Sequence, residues 1–141
     1  MENRDLLMKQ IEVFGENLRR ILFKVSLLKE SEATDIQVAE IDDLMRSGIG
    51  LDLNDIASVT NESFLTGLLE KKHSAADLSI IVNLLVDLAT ITRETPNNYD
   101  VNQLLSKALF LGDYLTTNQK AVYFGNIAAL DKAGRLLNDK D

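Results

Sequence analysis

The stretch SAADLSIIVNLLVDLATI, residues 74–91, decides the fold class. Ser74 with Asp77 three positions on has the spacing of a helix start. Leu78, Ile81, Val82, Leu84, Leu85, Leu88 and Ile91 then recur at helical spacing and leave little polar face. A helix apolar on nearly every side must be covered by several others, so this one belongs in the middle of a bundle. Nowhere in the chain is there a sustained period-two alternation rich in β-branched residues, so strands have no foothold.

On the N-terminal side the most regular pattern lies between Asp5 and Leu28. Leu7, Ile11, Phe14, Leu18, Ile21, Val25 and Leu28 form one apolar stripe, with Lys9, Glu12, Glu16, Arg19, Arg20 and Lys24 on the other face. Thr34 and Gln37 have capping-box spacing and precede Ile36, Ile41, Leu44 and Met45. Gly48-Ile49-Gly50 stops that second helix. Residues 51–56 read as a loop or single turn with its aliphatics tucked inward. Thr60 opens a short third helix, with Glu62 in its first turn and Phe64, Leu65, Leu68 and Leu69 inside.

Beyond the central helix, Thr95-Pro96-Asn97-Asn98 is a stop, because the residue before proline avoids helical angles. Asp100 with Gln103 starts a fifth helix holding Leu104, Leu105, Ala108, Leu109, Leu111, Gly112 and Leu115. A sixth runs from about Val122 to Leu137, with Phe124, Ile127, Leu130, Ala133 and Leu137 as its expected core. The expectation is a single all-α domain over residues 1–141, an antiparallel bundle of five or six helices; a short solenoid is the other arrangement that short loops allow.

Composition narrows the function classes. The 141 residues are 45% hydrophobic and 26% charged, which suits one globular domain. Cysteine is absent, so disulfides, thiolate nucleophiles and Cys-based zinc sites are excluded. No apolar run approaches the ~20 residues that span a bilayer, and the N-terminus lacks the order of a signal peptide, which points to the cytoplasm. The net charge of −7 argues against nucleic acid as a partner. That charge is unevenly spread. Residues 1–30 carry six basic and five acidic side chains, residues 31–70 one and nine, and residues 71–141 eight of each.

Few residue constellations could carry chemistry. His73, the only histidine, sits between two lysines and the Ser74 cap, a surface or cap-adjacent setting with no partner motif for catalysis. Asp42, Asp43, Asp52 and Asp55 could offer hard oxygen ligands to a divalent cation, but they lack the alternation of a calcium loop and read first as a solvated acidic face. Gly15, Gly67, Gly112, Gly125 and Gly134 fall inside helical patterns and point to close helix approaches. Tyr99, Tyr123 and Phe124 read as core anchors. Arg19, Arg20 and Lys24 make one compact basic patch, with Phe23 and Leu27 beside them off the main apolar stripe. The patch is either a solvated edge or a contact for a protein partner; three charges are too few for firm membrane attachment.

The pair of segments Ala108-Leu109-Phe110-Leu111-Gly112-Asp113-Tyr114-Leu115 and Tyr123-Phe124-Gly125-Asn126-Ile127, with Asp131, resembles a tetratricopeptide-type helical hairpin. With Leu7-Met8-Lys9-Gln10-Ile11, Ile21-Leu22-Phe23 and the Gly50-Leu51-Asp52-Leu53 connector, the chain resembles over nearly its whole length a family of small uncharacterised bacterial proteins with tetratricopeptide-like packing. That resemblance implies a helical fold and a protein-binding surface, and it implies no catalytic residue and no cofactor. The functional expectation is a non-enzymatic interaction or scaffold module, or a homodimer, using Arg19, Arg20, Phe23, Lys24 and Leu27. The other reading is a divalent-metal or small-ligand protein, or an enzyme, using the acidic segment 42–55.

Overall fold

The computed structural model describes residues 2–30, 33–71, 73–93, 100–118 and 124–138. Within them the chain forms seven helices and no strand: α1 (Glu2–Lys29), α2 (Asp35–Ile49), α3 (Leu53–Ser58), α4 (Asn61–Glu70), α5 (Ala75–Arg93), α6 (Val101–Thr117) and α7 (Phe124–Asn138). The Thr95–Asn98 stop, Tyr99, Val122 and Tyr123, the side chains of Leu7, Ile11 and Phe124, and the surroundings of Gly125 lie outside the described part.

Residues 75–93 form the helix around which the others pack. Leu78, Ile81, Val82, Leu84, Leu85, Leu88 and Ile91 are all buried, together with Val86 and Ala89. Each large aliphatic taken out of water contributes about 1.5–3 kcal/mol, so α5 holds much of the fold's driving force. Its neighbours are α1, α6 and α7. By length and composition α5 is also apolar enough to cross a membrane, a property the absence of a longer apolar run had concealed; here it is a buried core helix.

Local chemistry sets most helix ends. Thr34 and Gln37 form the reciprocal capping box, Oγ1 accepting from the Gln37 N–H and Oε1 accepting from the Thr34 N–H. Gly50, at φ 69°, closes α2 in the left-handed conformation; of the Gly48-Ile49-Gly50 stop, only this residue makes the turn. Thr60, Ser74 and Asp100 cap α4, α5 and α6 through the backbone N–H groups of Ser63, Asp77 and Gln103.

Three differences from the sequence reading have simple causes. The stretch expected as a loop or single turn is the six-residue helix α3, with its aliphatics inward as expected, because Asp52 accepts a 2.8 Å hydrogen bond from the Asp55 N–H while Leu53 and Ile56 are buried. In α7 the inward position is taken by Asn126, with Ala133 buried and Leu130 and Leu137 partly so, and Ile127 is exposed. The stripe 126-130-133-137 has helical spacing, and Ile127 lies one residue, about 100°, away from it. Leu69 in α4 is exposed for the same kind of reason, since Phe64 and Leu68 already fill the inner face.

Glycine supports the packing selectively. A Cβ at Gly112 would stand 2.8 Å from Leu130 Cδ2, so α6 and α7 approach through that position. Gly67 and Gly134 face open space, so close packing does not account for them.

Candidate interaction surface

α1 is built two-sided by its own sequence. Leu18, Ile21 and Val25 are buried against the bundle, and a 2.8 Å ion pair from Lys29 to Asp87 ties the end of α1 to α5. Phe14, Leu22 and Leu28 pack partly buried beside those core residues, and the apolar residues left over face outward. Phe23 is 64% exposed and Leu27 53%, and Leu6 and Val13 are exposed further along. Val13 and Leu27 lie two heptads apart and so share nearly the same azimuth, with Arg20 midway between them.

All five sequence-predicted residues come together on this outer side. Arg19, Arg20 and Lys24 are exposed around Phe23 and Leu27. Among the described residues none of the three cations has a carboxylate within ion-pair distance. Beside them runs a groove of 290 Å³ between α1 and α2, with Arg20 and Lys24 on one bank, Leu44 and Ser47 on the other, and Ile21 below. Its foot is held by Asn17, whose Nδ2–H donates to the Gly48 carbonyl at 2.9 Å.

The far bank has its own pattern, which the sequence reading missed. Ile36 is 73% exposed, and Asp35, Glu40 and Asp43 are exposed around it. The inner stripe of α2 is Val38, Ile41, Met45 and Ile49; Ile36 lies two residues before it and so points outward. That 3-4-4 spacing was the available signal. The outer faces of α1 and α2 are thus alike in form, an apolar centre with a charged surround, and opposite in predominant sign, Glu12 and Glu16 on α1 and Arg46 on α2 being the exceptions.

The four carboxylates of the acidic segment divide into different roles. Asp42 is buried, contrary to a solvated face: it accepts 2.8 Å from the Leu53 N–H and 3.0 Å from Arg46 Nη2, which joins α2 to the start of α3. Asp43 is exposed and 3.4 Å from Arg46 Nη1. Asp52 caps α3, and Asp55 is held above its ordinary value by its hydrogen bond to Asp52 and by that neighbour's charge. Among the described residues no three carboxylate or imidazole groups converge as a metal would require. The arrangement gives the metal reading no support.

His73 lies beside the Ser74 cap, as its setting in the sequence suggests, but is drawn partly inward, and Lys107 is buried. His73 is half-buried and stacked on Phe14, ring centroids 3.8 Å apart and planes at 16°, with neither ring nitrogen hydrogen-bonded. Burial lowers its pKa, Lys71 lowers it further, and Asp77 opposes both. Lys107 on α6 has a relative exposure of 0% and donates only long hydrogen bonds, 3.3 Å to Asn61 Oδ1 and 3.4 Å to Gln103 Oε1. Burial lowers its pKa, against a weaker pull from Asp100. The helical spacing of Lys107 from Leu104 and Leu111 places it on the inner face of α6, a signal masked by residue type, since lysine is rarely buried.

No known protein family, curated protein or solved structure matches this chain.

Proposed function

We propose that the protein is a non-enzymatic interaction module whose binding surface is the outer face of α1, and that its partner presents an acidic amphipathic helix. The single observation behind this reading is the exposure of Phe23 and Leu27 on one helix side, framed by three cations that have no ion-pair partner among the described residues. Apolar side chains clustered in water are a standing cost that association removes. The cations would steer an acidic partner and reject a basic one. The α6–α7 pair, meeting at Gly112 and Leu130, would in this reading be the tetratricopeptide-like part of a scaffold that keeps α1 rigid.

The test is the double variant Phe23→Glu, Leu27→Glu. Far-UV circular dichroism should match the wild type, because both side chains lie outside the core. Capture of the partner by the tagged chain should weaken by a factor of about thirty or more, as loss of two central apolar contacts does at ordinary interfaces. Undiminished capture by the double variant would refute the surface. So would loss of helicity, because it would make these residues core.

A further inference from the structure

We infer that the acidic partner is a second copy of this chain, docked about a twofold axis so that α1 of each protomer lies on α2 of the other. This rests on the reading of α1 given above and goes further by naming the occupant.

The argument begins with register. α1 and α2 run antiparallel side by side, and the Asn17 to Gly48 hydrogen bond sets them at one common level. Both helices rise ~1.5 Å per residue, so each step up α1 is matched by a step back along α2. Within one helical turn, Lys24 then stands at the height of Glu40, Arg20 at that of Asp43, and Leu27 at that of Ile36. In each pair both members are exposed. No ion pair joins them within the chain.

A twofold axis parallel to the helices preserves height and exchanges α1 with α2. It sets Lys24 against the partner's Glu40, Arg20 against the partner's Asp43, and Leu27 against the partner's Ile36, with Phe23 about two turns from the partner's Ile36 along the same seam. Symmetry makes every contact twice. The alternative of α2 on α2 sets carboxylates against carboxylates, and like charges face to face are disfavoured; α1 on α1 can pair its cations with Glu12 and Glu16 but leaves the exposed Ile36 of α2 uncovered. Segment 31–70, with nine acidic side chains and one basic, thus supplies the complement that the face of α1 lacks within its own chain. Asp43 already has Arg46 at 3.4 Å, so the Lys24 and Glu40 pair is the sharper probe.

The experiment uses Lys24→Glu and Glu40→Lys, separately and mixed, with mass read by light scattering after gel filtration. The wild type should run as a dimer whose dissociation rises with salt. Each single variant should dissociate about tenfold more readily, since each places two like-charge pairs at the interface. An equimolar mixture of the two variants should recover the dimer, because the introduced glutamate of one chain meets the introduced lysine of the other and the remaining pair is native. An interaction of Lys24 with Glu40 inside one chain cannot be rescued by mixing, so failure of rescue overturns the arrangement. A wild type that is monomeric at every concentration also overturns it. If that monomer still binds a foreign acidic partner through Phe23 and Leu27, the proposed function stands without the dimer. A dimer indifferent to all four substitutions, at residues 23, 24, 27 and 40, removes both.

Discussion

Asp42 and Asp43 are adjacent in the sequence and opposite in consequence. Asp42 turns inward, where its carboxylate satisfies the Leu53 N–H and meets Arg46, while Asp43 turns to solvent. Asp42→Ala should lower unfolding stability by about 1.5–3 kcal/mol, the worth of hydrogen bonds to a charged group, and Asp43→Ala should change it by less than about 0.5 kcal/mol; denaturant titration measures both. Equal effects would refute the division. The imidazole of His73 gives a pH prediction. Its folded pKa lies below the ordinary value of 6.5, so the unfolded chain takes up the proton first as pH falls. The stability of the native state is therefore full above about 6.5 and declines as pH drops from there through the folded value. Thermal melts between about pH 7 and pH 5 should show this decline, and His73→Phe, which keeps the stack on Phe14, should reduce its slope. Little of this was readable beforehand. Asp42 and Asp43 are one chemical type at consecutive positions, and only the azimuth of α2 separates them.

At the scale of the helix, two glycines make the clearest contrast. Gly112 meets Leu130 across the α6–α7 contact, whereas Gly134 has nothing within 4 Å of where a Cβ would stand. Gly134→Ala should therefore raise stability by the helix-propensity gain of about 0.8–1 kcal/mol. Gly112→Ala gains the same propensity but must displace the Leu130 methyls, an overpacking cost of about 1–3 kcal/mol; a net loss follows, relieved when Leu130→Val is added. Calorimetric melts of the variants settle the sign. Helix starts were legible to the residue where a cap carries the signal, as at Thr34 and Gln37, Thr60, Ser74 and Asp100. Rotation about the axis was less so. Ile127 and Ile36 are apolar residues lying off the packed stripe, and hydrophobicity alone assigns them inward. The helix α3 was legible only as a loop or single turn because six residues are too few to display a period, though Asp52 was already in the capping position.

For the molecule as a whole, the all-α class and the central place of α5 followed from one apolar stretch, since no other arrangement covers a helix on so many sides. The exposed basic face of α1 was also legible, because Phe23 and Leu27 are surplus to a stripe that Leu18, Ile21 and Val25 already complete. The matching face of α2 was hidden by treating its acidity as a single block. The same central helix has a consequence for synthesis. α5 is complete at Arg93, but two of its three neighbours, α6 and α7, are encoded after it. At ~5–20 residues per second, the ribosome leaves the sides of α5 meant for them open for on the order of seconds. During that interval the most apolar helix of the nascent chain is covered by α1 alone, and the chain is then most vulnerable to aggregation and most in need of a chaperone.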